Sequence, residues 1–234
     1  MDLNANEVFG WAAASISTIL HFSQILEYIK LCKGKIRYID APNLNTFIKY
    51  MICINWLIYA YLLKNKHIFI AYLVGSIFSI ICVSIFLVIL SKIKLIKSFL
   101  LACILFAYTL LSYLLFALLI KDIDIVGCFC VGSSFFLLFQ PFNVIKKAIK
   151  YRNYKYIAII LCLFSLVGAI CWVIYGFMII NFYVIIPNFI DMVSSLIMMF
   201  IWNIFKKKRP FVDEVANSSM NGSKIRVENS VTIT

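Results

Sequence analysis

Charged residues are scarce in this sequence. Only 14% of its 234 residues are Asp, Glu, Lys or Arg, whereas 64% are hydrophobic. An ordinary soluble domain is about half apolar. The apolar residues here come in runs of about 20, the length of helix that crosses about 30 Å of hydrocarbon. The composition therefore argues against a soluble domain and predicts an all-α integral membrane protein.

Several kinds of site chemistry are also missing. The closest cysteine pair, Cys128 and Cys130, is too short for a metal-binding CxxC clamp, and no other pair has metal-ligand spacing. No Ser/His/Asp set or pair of acids indicates a catalytic centre. The sequence thus predicts no metal site, no cofactor and no enzyme, and the eight cysteines are expected to pack as small apolar residues.

Residues 1–7 carry two acids and no base, unlike the basic start of a secretory signal peptide. Seven apolar spans follow. Their predicted bounds are Val8–Ile29, Asn43–Leu63, His67–Ser91, Ser98–Ile120, Ile125–Ile145, Tyr156–Ile180 and Phe182–Phe205.

Basic residues are concentrated in alternate connections. The connections after spans one, three and five, together with the C-terminal segment, hold 18 of the 22 Lys and Arg residues, and the other connections hold three. Basic residues in short loops stay in the cytosol. We therefore predict an extracellular N-terminus and a cytosolic C-terminus, and no nucleic-acid partner for the net charge of +12. The remaining base, Lys49, lies near the start of span two and is expected to snorkel to the basic side.

Two Trp-x-x-Tyr segments lie 116 positions apart, one at Trp56 and Tyr59 and the other at Trp172 and Tyr175. A polar residue follows each tryptophan after sixteen positions. These two residues are Tyr72 and Asn188. Such self-similarity indicates an internal duplication. Three helices are an odd number, so one extra span between two triplets is needed to keep the triplets parallel. We predict a 3+1+3 architecture with an axis along the membrane normal.

The predicted units follow from this architecture. Residues 1–91 contain the N-terminal region and first triplet, 92–121 the linker helix, and 122–205 the second triplet. The segment 206–234 is polar and rich in Asn and Ser, which predicts a disordered cytosolic tail.

Residues 168–176 (GAICWVIYG) and 182–188 (FYVIIPN) resemble the sixth and seventh helices of the SWEET sugar transporters, within the wider PQ-loop group. Gln140-Pro141 resembles the proline segment of the fifth helix. The resemblance extends over about residues 8–205 and is looser in the first repeat. It implies a bidirectional uniporter that moves mono- or disaccharides by alternating access.

The resemblance also implies sugar contacts. Trp172 and Asn188 match family substrate contacts, and Trp56 and Tyr72 hold the corresponding positions of the first repeat. An indole stacks on the C–H face of a sugar, and an amide both donates to and accepts from hydroxyls. The alternatives are an interfacial belt residue for Trp172 and an interhelical hydrogen bond for Asn188.

Gate and hinge positions are implied in the same way. Tyr59 and Tyr175 match tyrosines of the extracellular gate, and Asn181 holds a gate position that is often Asp in the family. Pro141 and Pro42 match hinge prolines. Pro141 can equally be a plain kink, which membrane helices tolerate. Two further hinge positions of the family hold other residues, so the inner gate is not specified. They are Gln24 and Ala158.

Asp191 is a candidate pathway acid. It lies one helical turn beyond Asn188, on the same face, and an acid at this depth is a functional candidate. The family position is commonly Gly, so the resemblance assigns it no role. Spans six and seven have no base in their apolar interior. A hydrogen-bonding role is favoured over protonation during the cycle.

One alternative function is PQ-loop transport of another small solute, such as an amino acid. A seven-helix receptor is disfavoured because it would not predict a duplication. Beyond the sugar, the expected partners are the lipid bilayer and other copies of this chain in a homo-oligomer. The expected location is the plasma membrane, with an endomembrane as the alternative.

Overall fold

The computed structural model of the protein describes residues 5–33, 43–92, 94–120, 122–151, 154 and 157–206. Within these ranges all regular structure is helical, so the prediction of an all-α fold is confirmed. The α-helices are α1 Ala5–Cys32, α2 Asn43–Leu62, α3 Lys66–Ser91, α4 Leu95–Ser112, α5 Ile123–Ser134, α6 Phe139–Tyr151, α7 Ile159–Met178 and α8 Phe182–Lys206. Pro42 and the predicted tail beyond Lys206 lie outside the described residues.

Five helical stretches in the described part are long and apolar enough to cross a membrane. They are Lys66–Ser91, Leu95–Phe116, Ile123–Lys150, Ile159–Met178 and Phe182–Lys206. The predicted spans one and two coincide with α1 and α2, which are not among these five. Large apolar side chains face outwards on α4, where Ile96, Phe99 and Phe106 are all more than 70% exposed. Such a surface suits contact with lipid.

Span five is not one continuous helix as predicted. A short 3₁₀ helix, Phe135–Leu138, separates α5 from α6, and Pro141 is the third residue of α6. Proline has no backbone N–H, and its ring clashes with the carbonyl four residues earlier, here that of Leu137. The break therefore lies where an uninterrupted α-helix would meet this clash.

Two helical hairpins, α2–α3 and α7–α8, have the same turn. Lys64 and Ile180 have positive φ angles of 54° and 50°. The asparagine that follows each caps the next helix: Asn65 Oδ1 accepts from two backbone N–H groups of α3 at 3.1 Å, and Asn181 Oδ1 accepts from Val184 N at 3.1 Å. Capping satisfies N–H groups that have no partner within the helix. We call the end of the bundle with these turns the hairpin end.

We call helices α1–α3 the first half and helices α5–α8 the second half. The two halves meet through α1 against α7 and α2 against α5. Helix α4 packs on α2 and α3, that is, on the first half. At the hairpin end the halves share one core, which contains Trp56, Tyr59, Trp172 and Tyr175. Shared burial of four large aromatic side chains fixes the halves to each other at this end.

Away from the hairpin end each half has its own core. One contains Tyr28 and Phe86, from α1 and α3. The other contains Ala148 and Ile201, from α6 and α8. Because these cores are separate, the halves are joined by apolar packing mainly at the hairpin end.

Two glycines allow close helix contacts near the hairpin turns. A Cβ atom at Gly10 would lie 2.7 Å from the His67 ring, and one at Gly127 would lie 2.7 Å from the Tyr183 ring. We expect Gly10→Ala and Gly127→Ala each to lower the free energy of unfolding by about 1–3 kcal/mol through overpacking. Thermal unfolding of the purified protein in detergent measures this.

Gly132 provides the control, because among the described residues nothing beyond its own helical turn lies within 4 Å of a Cβ built there. Gly132→Ala should be neutral, or stabilising by about 0.5–1 kcal/mol through helix propensity. If all three alanine variants unfolded at the parental temperature, the glycines would not be needed for the helix contacts.

Candidate functional site

A cavity of about 490 Å³ lies between the halves. It extends from the two indoles towards the end opposite the hairpins, where Glu27 of α1 and Met198 of α8 line it. Six of the sequence-predicted site residues line it: Trp56, Tyr72, Pro141, Trp172, Asn188 and Asp191.

Each indole of the cavity is held by a serine of the other half. Trp56 Nε1 donates to Ser134 Oγ at 3.0 Å, and Trp172 Nε1 donates to Ser17 Oγ at 2.9 Å. Both tryptophans are buried, which disfavours the belt alternative for Trp172. With its N–H satisfied and its ring held, an indole can present a face to a ligand.

Trp56 packs among aromatic rings of its own half. The Tyr72 ring stacks on it at 5.3 Å with an interplanar angle of 10°, and Tyr59 meets it edge-on at 5.4 Å. Trp172 meets Tyr175 edge-on at 5.8 Å in the same way. The tryptophan and tyrosine of each Trp-x-x-Tyr segment therefore pack in the same way, at one level of the bundle.

Asn188 is half-buried, and its Nδ2 donates to Val184 O of the same helix at 2.7 Å. This bond lies within α8, so it is not the interhelical hydrogen bond that was the alternative role for Asn188. Asn188 lies six residues into α8, about 9 Å from the start of the helix. Trp172 lies six residues before the end of α7, at a similar depth. The two side chains that match the family contacts thus share the cavity and the depth.

The hairpin end is closed by a pair of hydrogen bonds. Asn181 Nδ2 donates to Tyr59 Oη at 2.7 Å, and Asn65 Nδ2 donates to Tyr175 Oη at 2.7 Å. Each bond joins a tyrosine of one half to the helix-capping asparagine of the other half. We call these two contacts the reciprocal tyrosine–cap bonds. The tyrosines are 0% and 2% exposed, so this end of the cavity is sealed.

Asn65 was not among the sequence-predicted residues. A signal was present, because Asn65 and Asn181 are 116 positions apart, the same separation as the Trp-x-x-Tyr segments. The structure therefore extends the predicted gate of Tyr59, Tyr175 and Asn181 by one residue.

A charged chain continues from Tyr175 to the outside of the hairpin end. His67 Nδ1 lies 3.0 Å from Tyr175 Oη, and His67 Nε2 lies 3.2 Å from Glu7 Oε2. Lys66 Nζ pairs with Glu7 Oε1 at 2.9 Å. The hydrogen bond from Lys66 lowers the pKa of the Glu7 carboxyl, which precedes the first predicted span. Glu7 therefore stays charged and can accept from His67.

The wall of the cavity also carries charged groups. Asp191 Oδ2 accepts from Ser165 Oγ at 2.8 Å. Lys49 lines the same cavity, although the sequence predicted only that it snorkels to the basic side. Sequence reasoning missed this proximity because it sought a base for Asp191 only within spans six and seven. His21 lines the cavity too and is 8% exposed, and its Nδ1 has no hydrogen-bond partner among the described residues.

The chemistry available in the cavity is that of non-covalent binding: indole faces, hydroxyls, an amide and a few charges. In the ranges that the structure describes, no group of three His, Cys, Asp or Glu side chains is placed to hold a metal ion.

The sequence and the fold were each compared with known proteins. Residues 124–210 match a family described as sugar efflux transporters for intercellular exchange. The fold matches a solved eukaryotic SWEET transporter with a TM-score of 0.74, over 87% of this chain and 98% of that one. The resemblance to the SWEET family is confirmed. At 14% identity, the likeness to the solved SWEET structure concerns the fold.

Curated SWEET proteins are similar over shorter stretches. The bidirectional sugar transporter SWEET14 of Arabidopsis thaliana is 32% identical over 89 residues, which is 38% of this chain and 32% of the relative. SWEET13 of the same plant is 27% identical over 99 residues, 42% and 34% of the respective chains. The matched part spans about a third of the length of these relatives. The matched family consists of transporters, which supports the prediction that the protein is not an enzyme. The matched fold and the long apolar helices support an integral membrane protein.

The asparagines and tyrosines of the hairpin end should contribute unequally to stability. Asn65→Ala and Asn181→Ala remove both a helix cap and a reciprocal tyrosine–cap bond, each worth about 1 kcal/mol. Tyr59→Phe removes only the bond, so it is the matched comparison for Asn181→Ala, whereas Tyr175→Phe also removes the contact with His67 Nδ1. We therefore expect Asn181→Ala to unfold at lower temperature than Tyr59→Phe in detergent. Equal shifts in these two variants would show that capping adds nothing.

Proposed function

We propose that this protein is a uniporter that carries mono- or disaccharides in either direction by alternating access. The observation that carries the proposal is the cavity, which is sealed at the hairpin end and runs from two serine-held indoles towards the opposite end. The similar Arabidopsis proteins are named bidirectional sugar transporters, which supports a sugar as the substrate.

We propose that the fold is a 3+1+3 duplication with units 1–91, 92–121 and 122–205, followed by the tail 206–234. In this architecture α5 and α6 together form the fifth span and α4 is the linker. The repeated contacts support it, since the tryptophan–serine and tyrosine–asparagine bonds each occur twice with the halves exchanged. The packing of α4 on α2 and α3 is consistent with a helix outside the duplication.

The distribution of the cores supports rocking of the two halves. They share a core at the hairpin end and have separate cores towards the other end. A rigid-body rotation of one half against the other would change the width of the cavity without disrupting either separate core. The break at Pro141, between α5 and α6, is our proposed hinge within the second half, and Pro42 remains a prediction for the first half.

We propose that the hairpin end faces outwards and that the cavity of this structure opens to the cytosol. Of the basic residues after spans one, three and five, those that the structure describes lie at the end opposite the hairpins, namely Lys33, Lys92, Lys94, Lys97, Lys146, Lys147 and Lys150. Basic residues in short loops stay in the cytosol. A plasma-membrane location and a homo-oligomer remain predictions.

Epitope tags test this orientation. An N-terminal tag should be detected by antibody in intact cells if the protein reaches the plasma membrane, whereas a C-terminal tag should be detected only after permeabilisation. The positive-inside rule is the physical reason. Detection of the C-terminal tag in intact cells would reverse the topology.

We propose that the sugar binds between the indoles, with Trp172 and Asn188 as direct contacts and Trp56 and Tyr72 as their counterparts. Tyr59, Tyr175 and Asn181 would act as the outer gate, joined by Asn65. Those three gate residues are part of the seal at the hairpin end, whereas the four contact residues line the cavity. The sugar would therefore lie directly below the gate.

Alanine variants test the contacts. Trp172→Ala and Asn188→Ala should each remove about 1–3 kcal/mol of binding, roughly a tenfold to hundredfold loss of sugar affinity. The loss of affinity is measured by uptake of labelled glucose in cells that lack glucose transporters of their own. The amount of the variant protein in the membrane is quantified in parallel. Labelled amino acids should not be taken up.

Two residues of α8 outside the cavity lining provide matched controls. Trp202→Ala and Asn203→Ala should leave uptake close to the parental rate. Near-normal uptake by both Trp172→Ala and Asn188→Ala would place the substrate elsewhere. Uptake of an amino acid but not of glucose would favour the alternative solute.

A further inference from the structure

The two halves differ in charge at two corresponding positions. Lys49 on α2 corresponds to Ser165 on α7, and Asp191 on α8 corresponds to Gly75 on α3, at the separation of 116. The matching helix ends fix this register, since α2 and α7 end at Leu62 and Met178 and are followed by equivalent turns. The first half thus carries a cation and the second half an anion.

Both charged side chains line the cavity between the halves. The Asp191 carboxylate accepts from the Ser165 hydroxyl at 2.8 Å. Within the described residues, no ion pair within 4.0 Å joins either Lys49 or Asp191 to an opposite charge. In this structure the two charges therefore face a cavity that is wide enough to hold water or a ligand between its walls.

Packing in the first half supports this asymmetry. A Cβ atom at Gly75 would lie 2.6 Å from His21 Nε2, so the histidine ring occupies the space that a longer side chain would need. An acid at position 75 is excluded by this contact, whereas Asp191 has room in the second half. The cavity accordingly has one carboxylate at this level rather than two.

Closing the cavity would take both charges out of water. An ion removed from water costs several kcal/mol unless it is paired. Glu27 also lines the cavity, but it lies on α1 in the same half as Lys49. Pairing of Lys49 with Glu27 would leave Asp191 without a cation and would not draw the halves together. Pairing of Lys49 with Asp191 compensates both charges and joins the two walls.

We propose that Lys49 and Asp191 form an ion pair across the cavity when the end opposite the hairpins closes, and that this pair is the gate at that end. The inference rests on the proposed alternating-access cycle. The described residues of this structure form no such pair, which corresponds to the open state of the proposed cycle. Closure brings α2 and α8 together and replaces the water around each charge by the other charge.

Equilibrium exchange of labelled glucose by the full-length protein in proteoliposomes tests the gate. Lys49→Met and Asp191→Asn each leave one charge unpaired in the closed state, so each should slow exchange at least tenfold, about 1.4 kcal/mol. The swap Lys49→Asp/Asp191→Lys restores a pair and should return exchange to within about threefold of the parent. If the losses of exchange rate in the two single variants simply add, and the swap recovers none of the lost rate, the proposal is overturned.

A second double variant covers the case in which the swapped protein does not fold. Lys49→Ser/Asp191→Gly gives each position the residue of the other half and removes both charges. It should exchange glucose faster than either single variant, because no charge is left unpaired. Amounts of folded protein are compared by size-exclusion chromatography. If this variant is as slow as the slower single variant, the charges do not compensate each other.

Two further measurements separate the gate from other roles. Quenching of tryptophan fluorescence by glucose should give the same affinity, within about twofold, for the parent and the single variants. A tenfold weaker affinity in the variants would make the two residues sugar contacts instead.

The swap Lys49→Glu/Glu27→Lys is expected not to restore exchange. Its recovery, without recovery of the Lys49/Asp191 swap, would make Glu27 the partner. A parent that exchanges no glucose would instead refute the proposed function.

Discussion

The reciprocal tyrosine–cap bonds are the contact on which the arrangement of the two halves depends. In each bond, one asparagine side chain does two things: its oxygen caps the helix of its own half and its nitrogen donates to the tyrosine of the other half. The first N–H groups of a helix have no partner within the helix, and an asparagine cap satisfies them. The cap is thus required locally, and the same side chain fixes the halves to each other. Ile180, the residue before Asn181, has a positive φ, which is unusual and strained for a β-branched residue. This turn geometry places Asn181 at the start of α8, where it caps the helix.

The halves reuse this geometry with different chemistry around it. Outside the tyrosines, His67 meets Glu7 in the first half, and Tyr183 donates to Asp124 at 3.1 Å in the second. The paired positions are again 116 or 117 residues apart. Equivalent backbone positions therefore hold an acid and a ring with a polar atom in both cases. The common spacing of the two halves therefore fixes where a group lies, while the chemical nature of that group differs between the halves.

The features that could be predicted from the sequence are those set by composition and spacing. Runs of apolar residues placed the helices, and the repeated Trp-x-x-Tyr segments placed the indoles and tyrosines that meet near the hairpins. Three features could not be obtained in this way. The cap of Asn65 depends on the turn before it, and the break near Pro141 depends on a clash within span five. The position of Lys49 depends on which face of α2 turns to the cavity, and the hydropathy pattern of α2 does not indicate that face.

The proposed gate has one contact between the halves, an ion pair, whereas the hairpin end has two hydrogen bonds. A fully symmetric duplication would give two charged pairs across the cavity, just as it gives two tyrosine–cap bonds. Only one pair is available, because Gly75 and Ser165 occupy the other two positions. The Coulombic gain of an ion pair in a dry site is largely offset by desolvation of the two charges. A single such pair would therefore hold the closed end only weakly, without the shared aromatic core that holds the hairpin end. A carrier without a coupling ion needs states of similar free energy, since the sugar alone must shift the balance between them.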